Sequence, residues 1–490
     1  MLKNVLVANR GEIACRIIRS LRRLRIASTA VYHFADRGAP HVALADHAVE
    51  LEAEVPTAAY LDVGQLIDAA RQAGADAVHP GYGFLAENAG FAASVEAAGL
   101  VFVGPQPEVI RLMGDKIVSR EFAQAQGVPV APSCRQDGSL EAFVAAARGI
   151  GFPLLIKAAA GGGGKGMSIV RGAEELAARA ATASSEAERY FADGRVYAER
   201  YIERPRHIEV QVFGDGQGRV LHLYERECSV QRRFQKIIEE SPAPNLPREL
   251  RDRICAAAVR LAAAANYRNA GTVEFILAPD GEFYFLEMNT RLQVEHPVTE
   301  CVTGLDLVEL QLRLAGGEAL GLEQGDIVQR GHAFECRICA EQPEHDFRPA
   351  TGVVRRLREP VGTGVRFDGG LREGLPVTAA FDSMLAKLIV HGDSRTESAA
   401  RMREALAGLV LLGVDHNADY LGRIFAHPAF LDGALHTGFV TEHAAALTAA
   451  PLEAEARAAT LIAALLCTDE FRRLAFDCPE PHASIGHWRN

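Results

Sequence analysis

Two carboxylates in one short stretch carry the clearest chemistry in the sequence. In Gly271-Thr-Val-Glu274-Phe-Ile-Leu-Ala-Pro-Asp280-Gly281-Glu-Phe-Tyr-Phe-Leu-Glu287-Met-Asn289, Asp280-Gly281 separates two aromatic and aliphatic runs, the signature of a two-residue hairpin turn. Counting outward from that turn sets Glu274 opposite Glu287, with Cβ atoms about 5 Å apart. Carboxylates so placed repel unless neutralised, and hard oxygen ligands at that separation suit Mg²⁺ held together with substrate phosphates. A solvated acidic pair is the plainer alternative. Beyond Glu287, the polar residues Asn289, Arg291, Gln293 and Glu295 alternate with Met288, Thr290, Leu292 and Val294, so an extended chain would present them all on one face. That face would carry a metal-binding end, then a cation for a small anion, then a carboxylate able to act as base. A metal beside an anion site is the layout for a phosphoryl transfer in which the anion attacks a γ-phosphate.

A second candidate is the run Ala160-Gly161-Gly162-Gly163-Gly164-Lys165-Gly166-Met167, which follows an apolar strand containing Lys157. Glycines let backbone amides approach an anion closely, and lysines bring charge to phosphates. The run contains GxGxxG, but Ser168-Ile169-Val170 after it reads as a strand, and a dinucleotide fingerprint must open a helix. A Walker A loop fails too, because Ala159 takes the first glycine position and Gly166 follows the lysine. What remains is a glycine-rich flap between two strands, closing over nucleotide phosphates, or a flexible hairpin tip.

These groups need a scaffold of several parts. Val5 to Ala8, then Asn9-Arg10-Gly11-Glu12 and IACRIIRSLRRL, read as a buried strand, a tight turn and an amphipathic helix. STAVYHF, DAVHPGYG and LVFVGP continue the alternation, which predicts a doubly wound parallel sheet with ligand groups at its strand ends. Arg16, Arg19, Arg22, Arg23 and Arg25 on the first helix form a solvated face or, alternatively, a subunit contact. From Met113 a helix runs to Gly127, FPLLIKAA is an apolar strand entering the glycine loop, and strands dominate from Val196 to Glu295. After about residue 334 a mixed segment begins, with strands at GVVRRLRE and FDSMLAKLIVHG and a helix at SAARMREALAGLV. The whole reads as α/β and α+β.

Composition narrows the function classes. The 490 residues suffice for about three domains at roughly 100 to 200 residues each. At 48% hydrophobic and 23% charged, the chain is too apolar to be disordered. Its net charge of −11 gives no support to nucleic-acid binding. No signal-like segment opens the chain, and the longest apolar runs fall short of the about 20 residues of a membrane span, which predicts a cytoplasmic enzyme. Nine scattered cysteines fit reduced thiols. Cys336-x-x-Cys339 lacks the second pair that a zinc site needs.

HPGYGF (His79–Phe84), IKAAAGGGGKGM (Ile156–Met167), RHIEVQV (Arg206–Val212), ERECSVQRRFQK (Glu225–Lys236) and EMNTRLQVEHPVTE (Glu287–Glu300) closely resemble the biotin carboxylase component of biotin-dependent carboxylases. That component belongs to the ATP-grasp superfamily, and the resemblance runs from about residue 1 to 447. It implies that MgATP and bicarbonate give carboxyphosphate, which yields CO₂ for capture by biotin at N1′. Carried over, Lys116, Lys157, His207, Gln231 and the loop residues Gly162 to Met167 contact ATP, and Glu199 to Ile202 form the adenine hinge. Glu274, Glu287 and Asn289 take two divalent ions, Mg²⁺ or Mn²⁺. Lys236, Arg291, Gln293 and the Val294 amide hold bicarbonate, with Glu295 as its base. Arg337 stabilises the biotin enolate, released phosphate removes the N1′ proton, and Tyr82 packs near biotin. His79, His222 and His296 are structural or functional with equal weight.

The resemblance also implies an N-terminal domain over 1–113, an ATP-grasp domain over 114–333 with a lid at about 131–203, and a C-terminal domain over 334–447. The remaining 448–490 would begin a transferase-contacting segment, with Asn490 a truncation point. No Met-Lys dipeptide occurs, so the expected biotin carrier is a separate chain or a further segment. A carboxyltransferase subunit and a homo-oligomer or larger complex complete the expected partners. One position departs from the family pattern: Phe234 stands where many members have His or Asn, and cannot donate a hydrogen bond to nucleotide. Another ATP-grasp carboxylate ligase is the alternative activity.

Overall fold

In the computed structural model, which describes residues 2–136, 138–158, 167–191, 194–449 and 453–466, the apolar strand β1 (Asn4–Val7) is fully buried. It lies parallel to β2 (Ala27–His33) and β4 (Ala77–His79), and β3 (His47–Leu51) and β5 (Val101–Phe102) complete the parallel order β3-β2-β1-β4-β5. Short apolar strands separated by helices produce this arrangement, because both faces of a parallel sheet must be covered. Between β1 and helix α1 (Gly11–Leu24) the chain turns through Gly11 at φ +66°, a conformation that strains any side chain. The turn delivers Asn9 to Glu12 to the carboxyl end of the sheet, where ligands bind in folds of this type.

The arginine-rich helix is not uniformly solvated. Arg16 is buried, 2.8 Å from Glu300 and 3.0 Å from Asp306, while Arg19 remains about half exposed. The 3.6-residue period of α1 turns Arg16 inward beside Ile13 and Ile17, and a buried guanidinium needs carboxylate partners.

Next come α2 (Lys116–Ala125), β6 (Ser133–Arg135), α3 (Leu140–Ile150), β7 (Leu154–Ala158), β8 (Ser168–Val170), α4 (Ala173–Phe191) and β9 (Val196–Arg200). The strands form an antiparallel sheet in the order β6-β9-β7-β8. Phe143, Leu154, Ile156, Leu176 and Val196 help fill its small core against α3 and α4. Leu154 pairs with Val170 and Ile156 with Ser168, so the glycine run joins two antiparallel strands. Gly162, Gly163, Gly164, Lys165 and Gly166 themselves lie outside the described residues.

Three two-stranded sheets aside, an eight-stranded sheet holds the remaining strands: β10 (Arg206–Asp215), β11 (Val220–Arg232), β12 (Gln235–Ser241), β13 (Arg268–Leu277), β14 (Phe283–Asn289), β15 (His332–Cys339), β16 (Val365–Gly369) and β17 (Met384–Gly392). Its order is β14-β13-β10-β11-β12-β15-β17-β16, antiparallel throughout. Helices α5 (Arg248–Ala264), α6 (His296–Thr303) and α7 (Arg395–Gly408) pack against it. The strand-rich stretch expected over Val196 to Glu295 is therefore interrupted by α5, whose Arg-flanked, alanine-rich sequence RELRDRICAAAVRLAAA favours a helix.

Glu274 and Glu287 are paired in the β13–β14 ladder, but not through a two-residue turn. Ala278 N donates to Glu282 O and Gly281 N to Ala278 O, so Pro279-Asp280-Gly281 is a three-residue loop with Gly281 at φ +87°. Near the turn Phe275 therefore faces Phe285, and a bulge at Leu286 restores the Glu274–Glu287 register.

Residues 1–447 constitute one unit and 448–490 a second, in which α8 (Ala454–Leu466) is helical. Trp488 and the rest of the chain end lie outside the described residues. Among the described residues no helix is long and apolar enough to cross a membrane.

Candidate active site

A cleft of about 1080 Å³ lies where the three larger sheets meet. On β13, Glu274 has four partners: Lys236 Nζ and His207 Nε2 each at 2.9 Å, Asn289 Nδ2 at 2.8 Å and Gln293 Nε2 at 2.9 Å. Burial alone would raise its carboxyl, yet Lys236 and His207 hold it well below the usual range. Glu287 is in the opposite condition. Burial, and then the neighbouring Glu274 charge, push it above its ordinary value, and Lys116 and Lys157 offset this only in part. A compensated carboxylate beside an under-compensated one, both lining the cleft, fits a divalent cation ligated by hard oxygens. Asn289 Oδ1 adds a third oxygen, which here accepts from Arg291 Nη2 at 3.1 Å.

Lys236, at the start of β12, sits among three carboxylates, with Nζ 2.5 Å from Glu209, 2.9 Å from Glu274 and 2.6 Å from Glu295. Burial would lower this ammonium, but the three acids hold it well above its ordinary value. Glu295 gives its second oxygen to Arg337 Nη2 at 3.0 Å. It is fully buried, which favours the neutral acid, but Lys236, Arg337 and Arg226 hold it far below the carboxylate range. Arg337 is anchored on its other side by Glu239, 2.7 Å from Nε.

The strand β14 ends at Asn289, and Glu295 caps α6 at φ −81°, so the chain from Arg291 to Glu295 is not the continuous extended run that alternation predicts. Asn289, Arg291, Gln293 and Val294 still line the cleft together, because the coil after β14 follows its wall into α6. Arg291 is aimed by Glu87, 2.8 Å from Nε, and donates through Nη1 to Gln293 Oε1 at 3.0 Å.

Opposite lies a cationic end. Lys116 opens α2, whose N-cap Asp115 accepts from Ile117 N at 2.9 Å. Lys157 forms an ion pair with Glu199, which Arg120 also reaches at 3.0 Å. Burial works against the Lys157 charge, but Glu199 outweighs it and raises the ammonium. Met167, Glu199 and Ile202 line this part of the cleft, as does His207, whose Nδ1 is 2.7 Å from Gln231 Nε2. Tyr82 lines the cleft with its ring 5.8 Å from Lys387 Nζ. Of the histidines, His79 and His296 are buried and burial drives both down, His79 to about 3, so they are neutral. Phe234 lies on the rim, 61% exposed.

Sequence reasoning missed the layer beneath these groups. Arg226, fully buried on β11, donates to Glu209 at 2.5 Å, Gln211 at 2.7 Å, Thr299 at 2.9 Å and Thr272 at 3.1 Å. It thereby fixes Glu209 beneath Lys236. The signal was present in the period-two spacing of His207, Glu209 and Gln211 along a strand.

With this geometry in hand, similarity decides the family. Residues 1–110 match the model of the biotin carboxylase N-terminal domain, 115–323 the carbamoyl-phosphate synthase L chain ATP-binding domain, and 335–442 the biotin carboxylase C-terminal domain. The biotin carboxylase of Pseudomonas aeruginosa is 47% identical over 444 residues, 90% of this chain and 98% of that one. The chain belongs to the biotin carboxylase family. Methylcrotonoyl-CoA carboxylase subunit alpha of Glycine max is 48% identical over 90% of this chain, which spans 61% of that relative's length. The biotin carboxylase domain dimer of Hydrogenobacter thermophilus 2-oxoglutarate carboxylase, solved with MgADP, ADP and bicarbonate, superposes with a TM-score of 0.88 at 44% identity, covering 92% of this chain and all of that one. The fold is the ATP-grasp fold of biotin carboxylases, with a parallel-sheet N-terminal part.

Proposed function

We propose that this site uses MgATP and bicarbonate to carboxylate biotin on a carrier protein or domain. The observation that carries the reading is Glu295, held between Lys236 and Arg337 and joined through Lys236 to Glu274, whose ladder partner is Glu287. Lys236, Arg291, Gln293 and the Val294 amide hold bicarbonate against Glu295. Lys236 spends its charge on three carboxylates in the resting site; an arriving anion draws part of that charge away, and the basicity of Glu295 rises accordingly. Glu295 then takes the bicarbonate proton as a bicarbonate oxygen attacks the γ-phosphorus and ADP leaves.

Divalent ions, Mg²⁺ or Mn²⁺, would be held by Glu274, Glu287 and Asn289 and would supply charge neutralisation at the phosphates. Lys116, Lys157, the Gly162–Gly166 loop with Lys165, Met167, His207 and Gln231 grip the nucleotide, and Glu199 to Ile202 border its base. Carboxyphosphate breaks into CO₂ and phosphate, and the phosphate takes the N1′ proton of biotin. Arg337 offers a planar donor fork to the developing ureido oxyanion, and N1′ attacks CO₂ beside Tyr82. A carrier domain, a carboxyltransferase subunit and an acyl-CoA acceptor complete the cycle in the longer assembly.

ADP release that requires bicarbonate and rises with free biotin tests the reading and separates it from another ATP-grasp carboxylate ligase. Glu295→Ala should abolish carboxylation; full retained activity would sink the mechanism.

A further inference from the structure

Behind Arg337, Glu239 of β12 and Glu335 of β15 stand directly opposite each other in the antiparallel ladder, both fully buried. Opposed residues of this kind keep their Cβ atoms about 5 Å apart. Oε1 of Glu239 is occupied by Arg337, with Nε at 2.7 Å and Nη2 at 2.6 Å. Its Oε2, and both oxygens of Glu335, have no hydrogen-bond partner among the described residues.

The surrounding cations are already committed. Arg337 bridges Glu239 and Glu295. Lys387 of β17, fully buried, donates to the Val294 carbonyl at 2.7 Å and lies 3.7 Å from Glu12 of α1. The other groups facing Glu335 are Glu295, which precedes α6, and the Cys301 thiol of α6. The cations that act on Glu335 are Lys387 and, more weakly, Arg337, but among the described residues neither forms an ion pair with it. A buried carboxylate in that position expels its charge by taking up a proton.

We propose that Glu335 is held as a neutral carboxylic acid that donates its proton to Oε2 of Glu239, and that through Glu239 it positions Arg337. The shared proton satisfies the free oxygen of Glu239 and keeps that group an anion aimed at Arg337. Lacking the donor, Glu239 takes up the proton itself, and Arg337 loses its inner anchor. Burial acts in the same sense on both groups, pushing Glu335 well above the carboxylate range and Glu239 up to about 7.

The kinetic consequence rests on the function proposed above; the protonation state does not. Infrared spectroscopy of the full chain at pH 8 should show a deuterium-sensitive carbonyl stretch of a protonated carboxyl that disappears in Glu335→Gln and shifts in Glu239→Gln. An unchanged spectrum in Glu335→Gln overturns the proposal. In biotin-stimulated, bicarbonate-dependent ADP release, Glu335→Gln, which keeps a donor, should stay within about twofold of the parent, while Glu335→Leu should lose about tenfold or more in kcat with the ATP KM unchanged. Equal losses in the two variants would mean that an ionised Glu335 is required, and overturn it. If Glu335→Leu does not fold, the glutamine variant decides through both measurements. A parent that releases no ADP in response to bicarbonate refutes the proposed function, and the infrared measurement still tests the proton.

Discussion

Replacing Lys236 by methionine would remove a charge on which three buried carboxylates converge. Its nitrogen is 2.5, 2.9 and 2.6 Å from Glu209, Glu274 and Glu295. Each acid keeps one other cationic partner: Arg226 at 2.5 Å for Glu209, His207 at 2.9 Å for Glu274 and Arg337 at 3.0 Å for Glu295. Arg337 also serves Glu239, so four acids then rest on three cations; the variant carries one unmatched buried charge, not three, and the expected loss of stability at pH 8 is that of breaking one buried pair, about 3 to 5 kcal/mol.

The pH dependence follows from the sign. In the parent, Glu274 and Glu295 are depressed below their unfolded values, so their contribution is complete at pH 8 and is lost only as the pH falls through their low folded values. In Lys236→Met one of these carboxyls is raised above its unfolded value of about 4.3, which destabilises the fold at pH 8 and ceases to do so as the pH falls through the raised value. Urea unfolding of both proteins at pH 8 and pH 5.5 should show a gap that narrows at the lower pH, and bicarbonate-dependent ADP release should fall about 100-fold or more. A gap under about 1 kcal/mol at pH 8, or one of equal size at both pH values, would refute the reasoning.

Glu287→Gln removes the repulsion with Glu274, so the metal-free protein should melt at the same temperature as the parent or higher, while the stabilisation conferred by Mg²⁺ and turnover should both be lost. A clearly lower metal-free melting temperature would contradict the charge assignment. Phe234 sits with Arg233 in a two-residue turn between β11 and β12 at φ +67° and +50°, a region in which His is more readily accommodated than most side chains. Phe234→His should lower the ATP KM, and an unchanged or higher value counts against a nucleotide contact at this position.

Pattern and spacing were most informative where the chemistry runs along one strand. The Glu274–Glu287 pairing is legible in the sequence, though the assumed two-residue turn is a three-residue loop whose one-residue offset is cancelled by the Leu286 bulge. Two opposite departures from ideal geometry left the register as expected, and no local pattern announces a bulge. The row beyond Glu287 shows the converse, since Asn289, Arg291 and Gln293 line the cleft together although the strand has ended, while Glu295 is buried behind them. Glu209, Arg226, Glu239 and Glu335 were illegible as a network because their partners lie on different strands, and only the sheet order brings them together. Arg16 was misjudged for the same reason: Glu300, its partner, is 284 residues away in the chain.

The place where one sheet takes up both the ATP-grasp strands and the strands after residue 333 determines how the enzyme can be divided. Ile238 to Ser241 of β12 pair with Cys336 to Ala333 of β15, so a chain cut near residue 333 would bare the main-chain edge of β12. A bare edge of that length invites pairing with other chains, and such a fragment should aggregate instead of acting as a free-standing nucleotide-binding module. The strand that carries Lys236 and the strand that carries Arg337 can thus be inherited, exchanged or lost only together.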